Sequence, residues 1–222
     1  LGQLEKARSL LAEARSEILS VQGDISDIQL VEAKIARMQG NSDEALSFTE
    51  QILSLPATTI TNEQRLQVYL LRGQIACDRG DAALALEELQ MAETFAAGAT
   101  DLALPAGMSQ LAGRIHLIQE EPIMAAREFD REATLLKQAG RYAQMVRALH
   151  SAAESYMRAG KYGLAADRFF RSARSAFAQG EIGEARKIGQ MALAAADTAG
   201  DQPAMARVQA LLAEIENAAS IK

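Results

Sequence analysis

Residues 153–169 read AESYMRAGKYGLAADRF, and eighty positions upstream residues 73–89 read GQIACDRGDAALALEEL with the same internal spacing. In each a small residue opens the segment (Ala153, Gly73), a glycine follows seven positions later (Gly160, Gly80), an alanine five beyond that (Ala165, Ala85), and a large apolar residue four further on (Phe169, Leu89). Working outward, the same columns recur every forty residues. The marker position holds Gly40, Gly80, Glu120, Gly160 and Gly200; the small position before it holds Ala33, Gly73, Gly113 and Ala153; the alanine after it is Ala45, Ala85, Ala125 and Ala165. A repeat of this length marks a stack in which each unit buries its apolar face only against its neighbours.

The repeat is helical. Glycines fall every twenty residues in the second half, at Gly140, Gly160, Gly180 and Gly200, and between them apolar residues such as Met145, Leu149, Ala152, Ala153 and Tyr156 keep helical spacing. A glycine just past a helix C-terminus reaches positive φ without a Cβ penalty. Thr61 with Gln64 fits a capping box, Asp81 and Asp101 fit N-caps, and Pro122 and Pro203 sit where a missing N–H costs nothing. The spacing predicts helices over 3–20, 25–39, 42–55, 62–79, 82–97, 104–119, 122–139, 142–159, 162–179, 182–199 and 202–218. They form one domain over 1–222, with an unpaired leading helix and repeats at about 22–61, 62–101, 102–141, 142–181 and 182–219. The small columns are expected at helix crossings, where close approach needs small side chains.

In order and spacing these columns resemble the tetratricopeptide repeat. Gly73–Ala76–Gly80–Asp81–Ala85–Leu89–Ala92 and Ala153–Tyr156–Gly160–Lys161–Tyr162–Ala165–Phe169 are the best copies, followed by Gly113–His116–Glu120–Glu121–Ala125–Phe129 and then Ala33–Ala36–Gly40–Ala45–Ile52. The resemblance covers residues 25 to about 218 and departs from the family in period, forty in place of about thirty-four. It implies an all-α, right-handed superhelical solenoid of antiparallel helix pairs. It further implies that the first helix of each pair lines a concave groove that takes a peptide. By register that groove shows Lys34, Arg37, Leu70, Gln74, Arg114, Leu117, Arg147, His150, Glu154, Met157, Arg158 and Lys187. The Lys and Asn of the chaperone-tail clamp are absent at Leu70, Gln74, His150 and Glu154, which argues against that ligand class.

Composition bounds the rest. Of 222 residues 49% are hydrophobic and 23% charged, enough for a sizeable core. The net charge of −6 argues against nucleic acid. Its distribution is uneven: residues 1–100 carry 8 basic and 15 acidic side chains, whereas residues 141–190 carry 9 and 4, so an acidic partner would favour the C-terminal half. No apolar run approaches about eighteen residues, so membrane insertion is not expected. Cys77 is the single cysteine, which excludes an internal disulfide and leaves the compartment open. A helix over 3–20 without a partner, and the absence of an initiator Met, fit either a trimmed chain or one whose export or lipid-anchor segment has been removed. The localisation expected is left open: soluble, either cytoplasmic or periplasmic/lipid-anchored with the N-terminal segment removed.

Catalytic signals are thin. His116 falls in the column of Ala36, Ala76, Tyr156 and Ala196, a packing position, and His150 has only Glu154 at ligand spacing. Cys77 has no basic neighbour beyond Arg79 to favour a thiolate. No nucleophile elbow, phosphate loop or zinc motif is present. No enzyme activity, cofactor or metal is expected. The expected function is a scaffold binding an acidic or amphipathic protein segment, its groove mixing cations with Leu and Met. The alternative is a structural or self-associating component, possibly of a cell-envelope assembly, with Leu4, Leu10, Leu11 and Ile18 of the leading helix incompletely covered. A second basic stripe, Arg168, Arg171 and Arg174, is expected nearer the outer side, either as a contact surface or as a solvated face.

Overall fold

The computed structural model describes residues 6, 9–13, 25–56, 58–98 and 100–220. Its helices are α1 (Ser26–Met38), α2 (Ser42–Leu53), α3 (Asn62–Asp78), α4 (Ala82–Thr94), α5 (Ala103–Ile118), α6 (Pro122–Gln138), α7 (Tyr142–Arg158), α8 (Tyr162–Ala178), α9 (Ile182–Thr198) and α10 (Gln202–Ser220). No strand occurs among the described residues. Residues 6 and 9–13 are helical; the rest of the helix expected over 3–20, including Leu4 and Ile18, lies outside the described residues. Most boundaries agree with the periodicity to within two residues. The exception is α4, expected to run to residue 97. It stops at Thr94 because Phe95 leaves the helix to stack on Tyr69, centroids 5.7 Å apart and rings nearly parallel.

The turns explain the marker column. At Gly40, Gly80, Gly140, Gly160, Gly180 and Gly200 φ lies between 66° and 83°. The next N–H then reaches back to the last full turn, as in Asp81 N–H to Ala76 O at 3.0 Å and Lys161 N–H to Tyr156 O at 2.9 Å, the Schellman arrangement. Glu120 adopts the same geometry at φ 60° without being glycine. Thr61 and Gln64 form the expected capping box, and Asp81 Oδ1 accepts from Leu84 N–H. Asp101 is one residue early for the expected cap: Leu102 is the N-cap of α5, while Asp101 Oδ1 accepts from Ala103 N–H at 2.9 Å.

The chain divides into two compact units, residues 1–99 and 100–222. In the first, Leu30, Ala33, Ala36, Ala45, Ile52, Ile60, Val68, Leu71 and Ile75 make one core that joins α1, α2 and α3, and α4 packs on α3. In the second, α5 to α10 pack each on the next, and α8 also meets α10. Its largest core gathers Phe169, Ile188, Val208 and Ile215 with a bed of alanines. The small columns are buried throughout. At Gly113 a Cβ would stand 2.7 Å from Phe129 Cε1, so that crossing is set by the absence of a side chain.

Candidate functional site

In the N-terminal unit the groove candidates meet at the seam between α1 and α3. Lys34 donates from Nζ to Gln67 Oε1 at 3.0 Å. Much of its stem is in solvent, but burial of the ammonium draws its pKa below the usual lysine value, against an opposing pull from Asp27. Arg37 forks onto Asp78, Nε to Oδ2 at 2.7 Å and Nη2 to Oδ1 at 3.3 Å, and its Nη1 donates to Gln74 Oε1 at 2.9 Å. Leu70 is buried. Gln64 completes the seam, its Nε2 donating to Ser26 Oγ and Asp27 Oδ1. Planar guanidinium and carboxylate groups favour such two-point pairing, and here it ties one hairpin to the next.

The C-terminal unit uses the same columns differently. Along α7, Arg147, Glu154 and Arg158 are exposed, with His150 and Met157 half-buried beside them. These positions recur at three- and four-residue intervals and so share one face. Lys187 is exposed at the corresponding place on α9. Among the described residues Arg147, Arg158 and Lys187 make no hydrogen bond or ion pair. His150 stands edge-on to Phe169 at 5.2 Å; its Nε2 is 3.5 Å from Glu154, and its buried Nδ1 has no hydrogen-bond partner. Met157 packs on the edge of the core, and Leu117 packs against Ala125, Phe129 and Ala152. Arg114 is half-buried and engaged within the chain.

The second basic stripe separates into three environments. Arg168 forks onto Asp130, Nε to Oδ1 and Nη2 to Oδ2, both at 2.9 Å, and its Nη1 donates to Asp167 at 2.8 Å. Tyr156 O–H donates to Asp130 Oδ2 at 3.0 Å, so one aspartate clamps α6, α7 and α8 together. The Asp130 hydrogen bonds push the Arg168 pKa up, and burial followed by the Asp130 charge raises the Tyr156 phenol. Arg171 is 3.9 Å from Asp167, and Arg174 lies over the Phe170 ring at 5.6 Å. His116, as its column implied, serves the fold: Nδ1 meets Glu121 Oε2 at 2.7 Å across the turn into α6.

Glu132, which the sequence reading passed over, is 5% exposed on α6 and accepts from Gln110 Nε2 at 3.0 Å. Burial pushes its pKa up to about 8, against the smaller opposing effects of Gln110 and Arg147. Among the described residues no cluster of His, Cys, Asp and Glu could hold a metal, and no helix is long and apolar enough to cross a membrane.

No family model and no curated protein sequence matches the chain. Solved structures do. The crystal structure of the apo form of RapI aligns over 98% of this chain and 67% of its own, with TM-score 0.61 and 14% identity. A signal transduction ATPase with numerous domains from Pyrococcus horikoshii, a protein with a tetratricopeptide repeat sensor, aligns over 84% of this chain with TM-score 0.53 and 11% identity. The present chain spans about a third of that protein, 32%. The fold is therefore that of a tetratricopeptide-like helical repeat, as the column pattern indicated.

Proposed function

We propose that the protein is a non-catalytic scaffold that docks an acidic or amphipathic protein segment on the α7–α9 face of its C-terminal unit. The observation that carries this reading is the contrast in cation use. Among the described residues Arg147, Arg158 and Lys187 are exposed and make no hydrogen bond or ion pair, whereas in the N-terminal unit Arg37, in the column of Met157, is engaged by Asp78 and Gln74. Unpaired guanidinium groups beside Met157 and His150 offer charged donors next to apolar contact area. Arg114 and Leu117 on α5 extend the same register, and Lys34, Leu70 and Gln74 hold it in the N-terminal unit. Exposed cations of this kind are screened by salt, so binding should weaken as ionic strength rises.

The test is affinity capture from the native organism with the intact chain and its Arg147→Glu/Arg158→Glu/Lys187→Glu variant as parallel baits. A protein retained by the first and lost from the second, with helicity unchanged, supports the reading. Equal retention by both places the docking surface elsewhere.

A further inference from the structure

A second concavity lies on the other side of α7. Its floor is Tyr142, Met145 and Leu149 of α7; its walls are Lys137 at the end of α6 and Arg171 and Arg174 on α8; it encloses about 570 Å³. The floor residues follow one another at intervals of three and four, so they share a face of the helix. That face is the one α7 turns toward α6 and α8, opposite the Arg147–Arg158 stripe. Tyr142 is 50% exposed and is the accessible part of the floor, whereas Met145 and Leu149 beneath it are buried, 8% and 1% exposed. Three cations thus surround an apolar floor, and no carboxylate lines the cavity. The nearest acidic partner on α8, Asp167, is held at 2.8 Å by Arg168 and reaches Arg171 only at 3.9 Å. Arg174 is laid across Phe170, which keeps its stem against the helix.

We propose that this cavity is a second docking site, independent of the α7–α9 face, for an acidic protein segment that seats one aromatic or aliphatic side chain on Tyr142, against the edge of Met145, with its flanking carboxylates on Lys137, Arg171 and Arg174. Charge complementarity selects the occupant. An apolar anchor alone would set three cations against apolar surface, and a purely acidic segment would leave the floor wet. The volume suits one large side chain and its neighbours rather than a whole helix.

The experiment uses the full chain with ¹³C-methyl-labelled methionine, because Met145 lies in this cavity and Met157 lies on the opposite face. The probe is the hexapeptide acetyl-Glu-Asp-Phe-Glu-Asp-Glu-amide, with a Phe→Ser version as control. The expected result is a saturable shift of the Met145 methyl and none at Met157. Arg171→Glu/Arg174→Glu should weaken binding about tenfold or more, and Tyr142→Ala should do the same without altering charge. Arg147→Glu/Arg158→Glu should leave it intact, so failure here and failure of the α7–α9 reading are separable. No shift at Met145, equal binding of the serine peptide, or equal loss in the Arg147→Glu/Arg158→Glu variant would each overturn the proposal.

Discussion

Each unit buries a glutamate, and the two do it by different means. In the N-terminal unit Glu88 on α4 meets the Arg72 guanidinium of α3 at 2.8 Å, a charge matched by a charge. In the C-terminal unit Glu132 on α6 meets the neutral amide of Gln110, and burial moves its proton affinity up until it holds the proton near neutrality. The contrast runs through the seams. Lys34, Arg37, Arg72 and Arg79 of the N-terminal unit each reach a polar partner on another helix. The C-terminal unit packs alanines against Phe129 and Phe169 and adds ion pairs of Asp130 with Arg168 and of Asp101 with Arg141. Where packing and these contacts hold the helices, Arg147, Arg158 and Lys187 stay exposed, which is the basis of the docking proposal.

That difference can be broken at the two glutamates first. For Glu132 the folded pKa, about 8, lies above the value of about 4.5 for an unfolded carboxyl. Between those values the unfolded chain has released its proton and the folded chain has not. Stability should therefore fall as pH rises, by about 3–4 kcal/mol from pH 5 to pH 8. Glu132→Gln should abolish that slope in chemical denaturation. At Glu88 the vulnerable element is the counter-ion. Arg72→Met leaves a buried carboxylate without its counter-ion and should cost about 3 kcal/mol in chemical denaturation.

The packing side of the contrast is sharpened by two glycines. Gly113→Ala drives a Cβ into the Phe129 ring and should cost about 1–3 kcal/mol. Gly189→Ala meets only the mobile end of Leu212 and should be near neutral by thermal melting. Glu120→Gly acts in the opposite direction: it removes a left-handed non-glycine residue and should raise stability by about 0.5–1 kcal/mol.

The architecture was readable because it repeats. One register places the turns, the buried alanines and the Gly113 crossing, since each depends on spacing within a chain segment. The site was less readable, because pairing depends on which side chains face each other across hairpins. Arg37 and Arg147 look alike as sequence, yet Arg37 faces Asp78 on the next hairpin while Arg147 meets no partner at bonding distance. Glu132 occupies the column of Ile52, Ala92 and Ser172, all sealed from water, so the register marks the position as buried, but spacing does not reveal that Gln110 on α5 meets it there. The Lys137, Arg171 and Arg174 cluster draws on two helices that are far apart in sequence, so only Arg171 and Arg174 appeared as a stripe.

The claim on which the functional account rests is that Arg37 and Arg72 of the N-terminal unit are held by partners on neighbouring helices, whereas Arg147 and Arg158 on α7 are not. Arginine side-chain NMR of the intact chain tests it directly, by the rate of rotation about the Nε–Cζ bond. Slow rotation at Arg37 and Arg72 with fast rotation at Arg147 and Arg158 is the expected result. Equally slow rotation at all four would mean that the α7 cations are already committed to the fold, and the docking face would have to be sought elsewhere.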